Sequence, residues 1–168
     1  MSSPTESDNL LCGELAADRL QQLLKSYNIT VHYLDIDAEL TGSFWGDPEA
    51  GLLDNQLYVK STTPIQSALH EACHYICMDQ QRRNKLNTNA GGGYDEENAV
   101  CYLQILLAGF IPECGQARMM QDMDNWGYSF RLGSAKTWFE QDADDARQWL
   151  EKHQIIDSQR QPTWQLRR

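Results

Sequence analysis

Two histidines stand four residues apart in STTPIQSALHEACHYICMD, residues 61–79, and Glu71 directly follows the first. The segment carries a helix start. Thr63 fits the N-cap, Pro64 the first helical position, and Gln66 completes a T-x-x-Q capping box. On such a helix His70 and His74 lie about 40° apart around the axis, one turn above one another. With His70 at 0°, Ile65, Ala68, Leu69, Ala72 and Ile76 fall within roughly 160–260°. The fold must bury that apolar side. The histidine pair then faces solvent or a cleft.

The rest of the chain can supply that fold. Its 168 residues suit one compact domain, and 41% are hydrophobic, as in an ordinary globular protein. The 24 acidic and 14 basic residues give a net charge of -10. That balance argues against nucleic acid and anionic membranes as partners, because phosphates attract basic faces. The N-terminal MSSPTESDNL has neither the basic nor the apolar region of a signal peptide. No apolar run approaches the roughly 20 residues of a membrane span. The five cysteines are odd in number, and Cys73 and Cys77 sit inside the histidine segment. A secreted disulfide scaffold fits this poorly, so a soluble cytoplasmic protein with buried thiols is expected.

Residues 1–9 read as a disordered lead, and 10–168 as one domain. Leu11, Leu15, Leu20, Leu23 and Leu24 have helical spacing over 11–27. ITVHYLDI (29–36) and LLDNQLYVK (52–60) read as strands, and SFWGDPEAG (43–51) as a turn. The polar stretch 81–93, ending in three glycines, reads as a loop, and GGG (91–93) as a hinge or part of that loop. A helix over about 95–108 follows. Beyond Pro112 come MMQDMDNWGYSFRLG and an amphipathic helix near 135–153, in which Trp138, Phe139, Ala143, Ala146, Trp149 and Leu150 share one side. The pattern is α+β, one small sheet among helices.

HEACH is an H-E-x-x-H motif. At this spacing both imidazoles reach one Zn²⁺ at about 2.0–2.1 Å. Glu71, offset by about 100°, is placed to act on water rather than on the metal. The plainer reading is a solvated helix face; another is a site built from Cys73, His74 and Cys77, whose C-x-x-x-C spacing is not that of a zinc finger. A catalytic zinc needs a third protein ligand and an open fourth position. Asp79, Asp95, Glu96 and Glu97 are the candidates. Asp79 lies five positions past His74, too far along the axis. On the second helix Val100, Leu103 and Leu107 fall within about 40° of Glu96, whereas Glu97 shares a polar strip with Gln104. Glu96 therefore points inward, where a carboxylate is costly unless it is paired or bound to a cation, and it is the expected ligand. The alternative is that Asp95, Glu96 and Glu97 only complement the helix dipole.

With HEACH on one helix and EENAVCYLQILL (96–107) after it, the chain resembles zincin metallopeptidases of the gluzincin kind. More narrowly it is similar to the ImmA/IrrE-type domain, whose second motif runs roughly E-x-x-A-N-x-F-A-x-x-L-L. Glu96, Ala99, Tyr102, Leu106 and Leu107 take matching places; Val100 and Leu103 replace the family's Asn and small Ala. LYVK (57–60) stands for the strand before the active helix. The likeness covers about 50–110 and leaves 113–168 outside. It implies a zincin-like fold, with a small mixed or antiparallel sheet against the HExxH helix. It also implies one Zn²⁺ at His70, His74 and Glu96, with Glu71 as general base.

The expected function is zinc-dependent hydrolysis of a peptide or protein substrate, with the 57–60 strand pairing along the substrate. For the transition-state stabiliser Tyr94, Tyr128, Arg131, His32 and His153 are open, and Tyr128, in GYSFR among glycines, is favoured. Cys73 or Cys77 approaching the metal in a resting state is a further alternative. The rival function is a non-catalytic metal-binding or protein-interaction module on the same scaffold. The presence of Glu71 favours the enzyme, because a structural site has no use for that base.

Overall fold

The computed structural model describes residues 9–38, 49–85 and 92–168. The lead expected at 1–9 (apart from Asn9), most of the 43–51 turn, much of the 81–93 loop and the first glycine of the 91–93 run lie outside those residues. The described chain is α+β, with seven α-helices and one three-stranded mixed sheet. No helix among these residues is long and apolar enough to cross a membrane.

Helix α1 (Arg19–Leu24) precedes strand β1 (Thr30–Tyr33). It is much shorter than the 11–27 pattern suggests. The backbone of residues 11–13 is occupied elsewhere: Cys12 N donates to Thr63 O at 2.8 Å and Gly13 N to Ser61 O at 2.9 Å. A Cβ on Gly13 would lie 2.8 Å from that of Ser61, so this close approach depends on glycine.

The single strand expected over 52–60 is a hairpin. Strands β2 (Gly51–Leu53) and β3 (Gln56–Val59) pair antiparallel, with Leu52 opposite Leu57. Asp54, at φ 53°, makes the turn. On its other side β3 pairs parallel with β1, so the order is β1-β3-β2 and β3 is central. Alternation along β3 buries Leu57 and Val59 and leaves Gln56 and Tyr58 on the outer face.

Helix α2 (Ile65–Cys77) packs against β2 and β3 and, on another side, against α4 (Tyr94–Ala108), which in turn packs on α7 (Asp144–Lys152). Of the α2 residues, only His70 and Glu71 are not buried. The expected capping box does not form. Thr63 Oγ1 instead accepts from Lys60 N at 2.8 Å, and Pro64 is the extended residue before the helix.

Met78 is extended and ends α2, and Asp79 caps α3 (Gln80–Asn84), accepting from Arg82 N at 2.8 Å. So 81–84 is helical where a loop was expected. Helix α5 (Gly115–Trp126) ends at Gly127, whose φ of 110° is a left-handed stop. The helix expected over 135–153 is two helices, α6 (Ala135–Gln141) and α7, separated at Asp142 and Ala143. Asp142 leaves helical geometry while binding Arg131 through both oxygens.

Candidate metal centre

The two histidines of α2 point their Nε2 atoms at one place. These atoms are 3.1 Å apart. The third group comes from the first turn of α4, and it is Glu97. Its Oε1 is 2.9 Å from His70 Nε2, and its Oε2 is 3.2 Å from His74 Nε2. The cluster sits at the α2–α4 contact. The histidine side chains are 15% and 7% exposed and that of Glu97 43%, so the opening lies beside the carboxylate.

Glu96, the ligand expected from the sequence, is elsewhere. Its Oε1 accepts from Arg82 Nη2 and from Arg167 Nη1, the latter at 3.2 Å. Glu96 is, as expected, a buried carboxylate that needs a cation, but the cations are guanidinium groups. Helix α4 has more than one inward side. This helix is covered by α2 on one side and α7 on another, so its apolar stripe does not single out the side facing α2. The polar strip of Glu97 and Gln104, read as the outer one, faces the histidines.

The donor set fits a zinc ion. Two imidazole nitrogens bound at about 2.0–2.1 Å in a tetrahedral array stand about 3.3 Å apart, close to the separation found here. Two nitrogens and a carboxylate are a familiar three-ligand set that leaves a fourth position open. Electrostatics bind the same groups together. Burial pushes the Glu97 carboxyl up, but hydrogen bonds to His70 and His74 outweigh it and hold the group far below the usual carboxylate range. Burial disfavours a charged His70, yet the nearby Tyr128 and hydrogen bonds with Cys101 and Glu97 raise its pKa well above the usual value.

Glu71 borders the cluster and is partly exposed. Burial raises its pKa, His74 and His70 pull it back, and the Glu97 charge pushes it up again. Tyr128 also reaches the site: its ring packs edge-on to His70 at 5.4 Å between centroids, and its hydroxyl donates to Gln66 Oε1 at 2.7 Å. Burial pushes the phenol up to about 12, so it is a neutral hydroxyl at working pH.

The other candidates are engaged elsewhere. Arg131 is paired with Asp142, His153 accepts from Arg167 Nε, His32 stacks on Tyr58, and Tyr94 is exposed at the start of α4. Asp79 caps α3, and Asp95 lines a small cavity with Arg131 and Trp138. Cys73 and Cys77 are buried in the core, and burial drives both thiols well above their usual pKa. His74, Cys73 and Cys77 do not form a ligand group; among the described residues the one group of three or more metal-binding side chains is His70, His74 and Glu97.

From the sequence, Gln104 is only part of a polar strip on this helix. In the fold its Oε1 lies 2.9 Å from His70 Nδ1. The signal that finds it is the seven-residue spacing from Glu97, which puts the two side chains on one side of α4.

Comparison with known protein families, with curated proteins and with solved structures found no match.

Proposed function

We propose that this chain is a zinc-dependent peptidase on a zincin-like scaffold, with His70, His74 and Glu97 as the metal ligands. The observation that carries the reading is the convergence of the two HExxH histidines and a carboxylate from the next helix, with Glu71 at the edge. The mixed sheet packed against α2 is compatible with such a scaffold. The cytoplasmic reading rests on the odd number of cysteines, four of them buried.

Bound in this cluster, zinc supplies a Lewis acid that makes water a nucleophile near neutral pH. The chain does the rest. Glu71 takes the proton of the attacking water and delivers it to the leaving amine. Its raised pKa moves it toward the range in which a carboxylate both accepts and returns a proton. Tyr128, a neutral hydroxyl next to His70, donates to the carbonyl oxygen as it gains charge, giving up its bond to Gln66.

The substrate strand cannot pair with β3, as the 57–60 assignment requires, because β1 and β2 flank it. Among the described residues, the edge strand next to α2 is β2. Ala50, just before it, donates to Ser67 Oγ at 2.8 Å, one helical turn before Glu71. An extended peptide along β2 therefore runs past the catalytic side of α2.

The test is peptide cleavage by zinc-loaded wild type and Glu71→Gln, read by mass spectrometry on a mixed peptide library. The proposal expects cleavage by wild type and a loss of about 10²–10⁴-fold in the variant, with zinc content unchanged. A zinc-loaded wild type that cleaves nothing in the library supports the non-catalytic module instead.

A further inference from the structure

Gln104 is fully buried on α4, two turns beyond Glu97. Its amide has a defined direction. Nε2 lies 2.9 Å from the backbone carbonyl of Gln66 and 3.4 Å from Met119 Sδ. A carbonyl oxygen can only accept, so the amide nitrogen belongs on that side. The reverse orientation would set two carbonyl oxygens 2.9 Å apart. Oε1 therefore faces His70 Nδ1, 2.9 Å away, as an acceptor. Gln66 is anchored in turn, its side chain bonded by the Tyr128 hydroxyl.

The two histidines are thus not equivalent. His74 Nδ1 is buried and has no hydrogen-bond partner among the described residues. His70 Nδ1 faces an acceptor locked in place from two other directions.

We infer that Gln104 is a positioning residue for His70: it holds a proton on Nδ1, which leaves Nε2 as the ring nitrogen that binds a metal and fixes the plane of the imidazole. Nε2 is the atom that meets His74 and Glu97. A partner of this kind sets tautomer and orientation together, and its loss typically weakens metal binding about 10–100-fold. The affinity part of the inference rests on the metal reading above. The placement of the proton does not.

Two measurements separate these parts. The first is the ¹⁵N–¹H spectrum of the metal-free wild type, which needs no variant. A proton on His70 Nδ1 is expected, and an Nδ1 without one overturns the inference. The second is zinc affinity, by competition with a chromophoric chelator, for wild type, Gln104→Met and Gln104→Glu. Gln104→Met should bind about 10–100-fold more weakly. Gln104→Glu keeps an oxygen opposite Nδ1 but sets its other oxygen against the Gln66 carbonyl, so it should recover only part of that loss. Equal affinity in wild type and a folded Gln104→Met overturns the positioning role. If the wild type takes up no zinc, the metal reading fails and the spectrum alone decides the place of the proton.

Discussion

Glu96 and Glu97 are consecutive residues of α4 that serve opposite partners: Glu96 holds Arg82 and Arg167, and Glu97 holds His70 and His74. One step of about 100° around a helix separates them. It sends one carboxylate toward the C-terminal segment of the chain and the other toward the candidate metal centre.

Glu96→Gln is expected to lower stability by about 1–3 kcal/mol, the scale of a charged hydrogen bond with a buried acceptor. Its side chain is 8% exposed, while Arg82 and Arg167 are 37% and 20% exposed, so the arginines recover part of their solvation. Urea unfolding followed by circular dichroism measures the loss. An unchanged midpoint would show that the ion cluster is not stabilising.

The pair formed by Glu97 and His70 should give the metal-free protein a stability window in pH. The Glu97 pKa is lowered on folding, so its contribution is present above the unfolded value of about 4.3 and is lost as pH falls. The His70 pKa is raised, so its contribution is present below about 6.5 and is lost as pH rises through the folded value. The destabilisation caused by Glu97→Gln in the presence of a chelator should therefore peak between about pH 4.5 and 6.5. Because Glu97 is 43% exposed, solvent screens the pair and the effect should be modest, on the order of 1 kcal/mol. A difference that stays flat from pH 4 to 9 argues against the coupling.

The thiols should be inert in the native protein. Burial raises Cys12 and Cys114 to about 12 and drives Cys73 and Cys77 well above their usual value. At pH 8 these four are protonated, and the thiolate is the reactive form. A chromogenic disulfide reagent should label all five cysteines in guanidinium chloride and at most a small fraction without it. Rapid labelling of the folded protein at Cys73 or Cys77 would contradict the packing of α2.

Much of the site is written in the sequence, and what is missing has a physical cause. HEACH fixes His70, His74 and Glu71 on α2 because an i, i+4 pair needs only helical geometry. The choice between Glu96 and Glu97 needs the neighbours of α4, and periodicity cannot supply them when a helix is covered on more than one side. The capping box at Thr63 fails for a similar reason, since a turn to Lys60 takes its hydroxyl. Strand β3 has the right place in the sequence, but its central position comes from β1, more than twenty residues upstream. The helix expected over 11–27 is cut short by pairing with residues 61–63, a contact that local pattern does not encode.

The most direct test is zinc content per chain, by elemental analysis, for wild type, Glu97→Gln and Glu96→Gln purified without a histidine tag and dialysed against zinc. Wild type and Glu96→Gln should hold about one zinc, and Glu97→Gln should lose it. A wild type that takes up none, or a Glu97→Gln variant that retains zinc while Glu96→Gln loses it, would contradict the three-ligand site at its foundation.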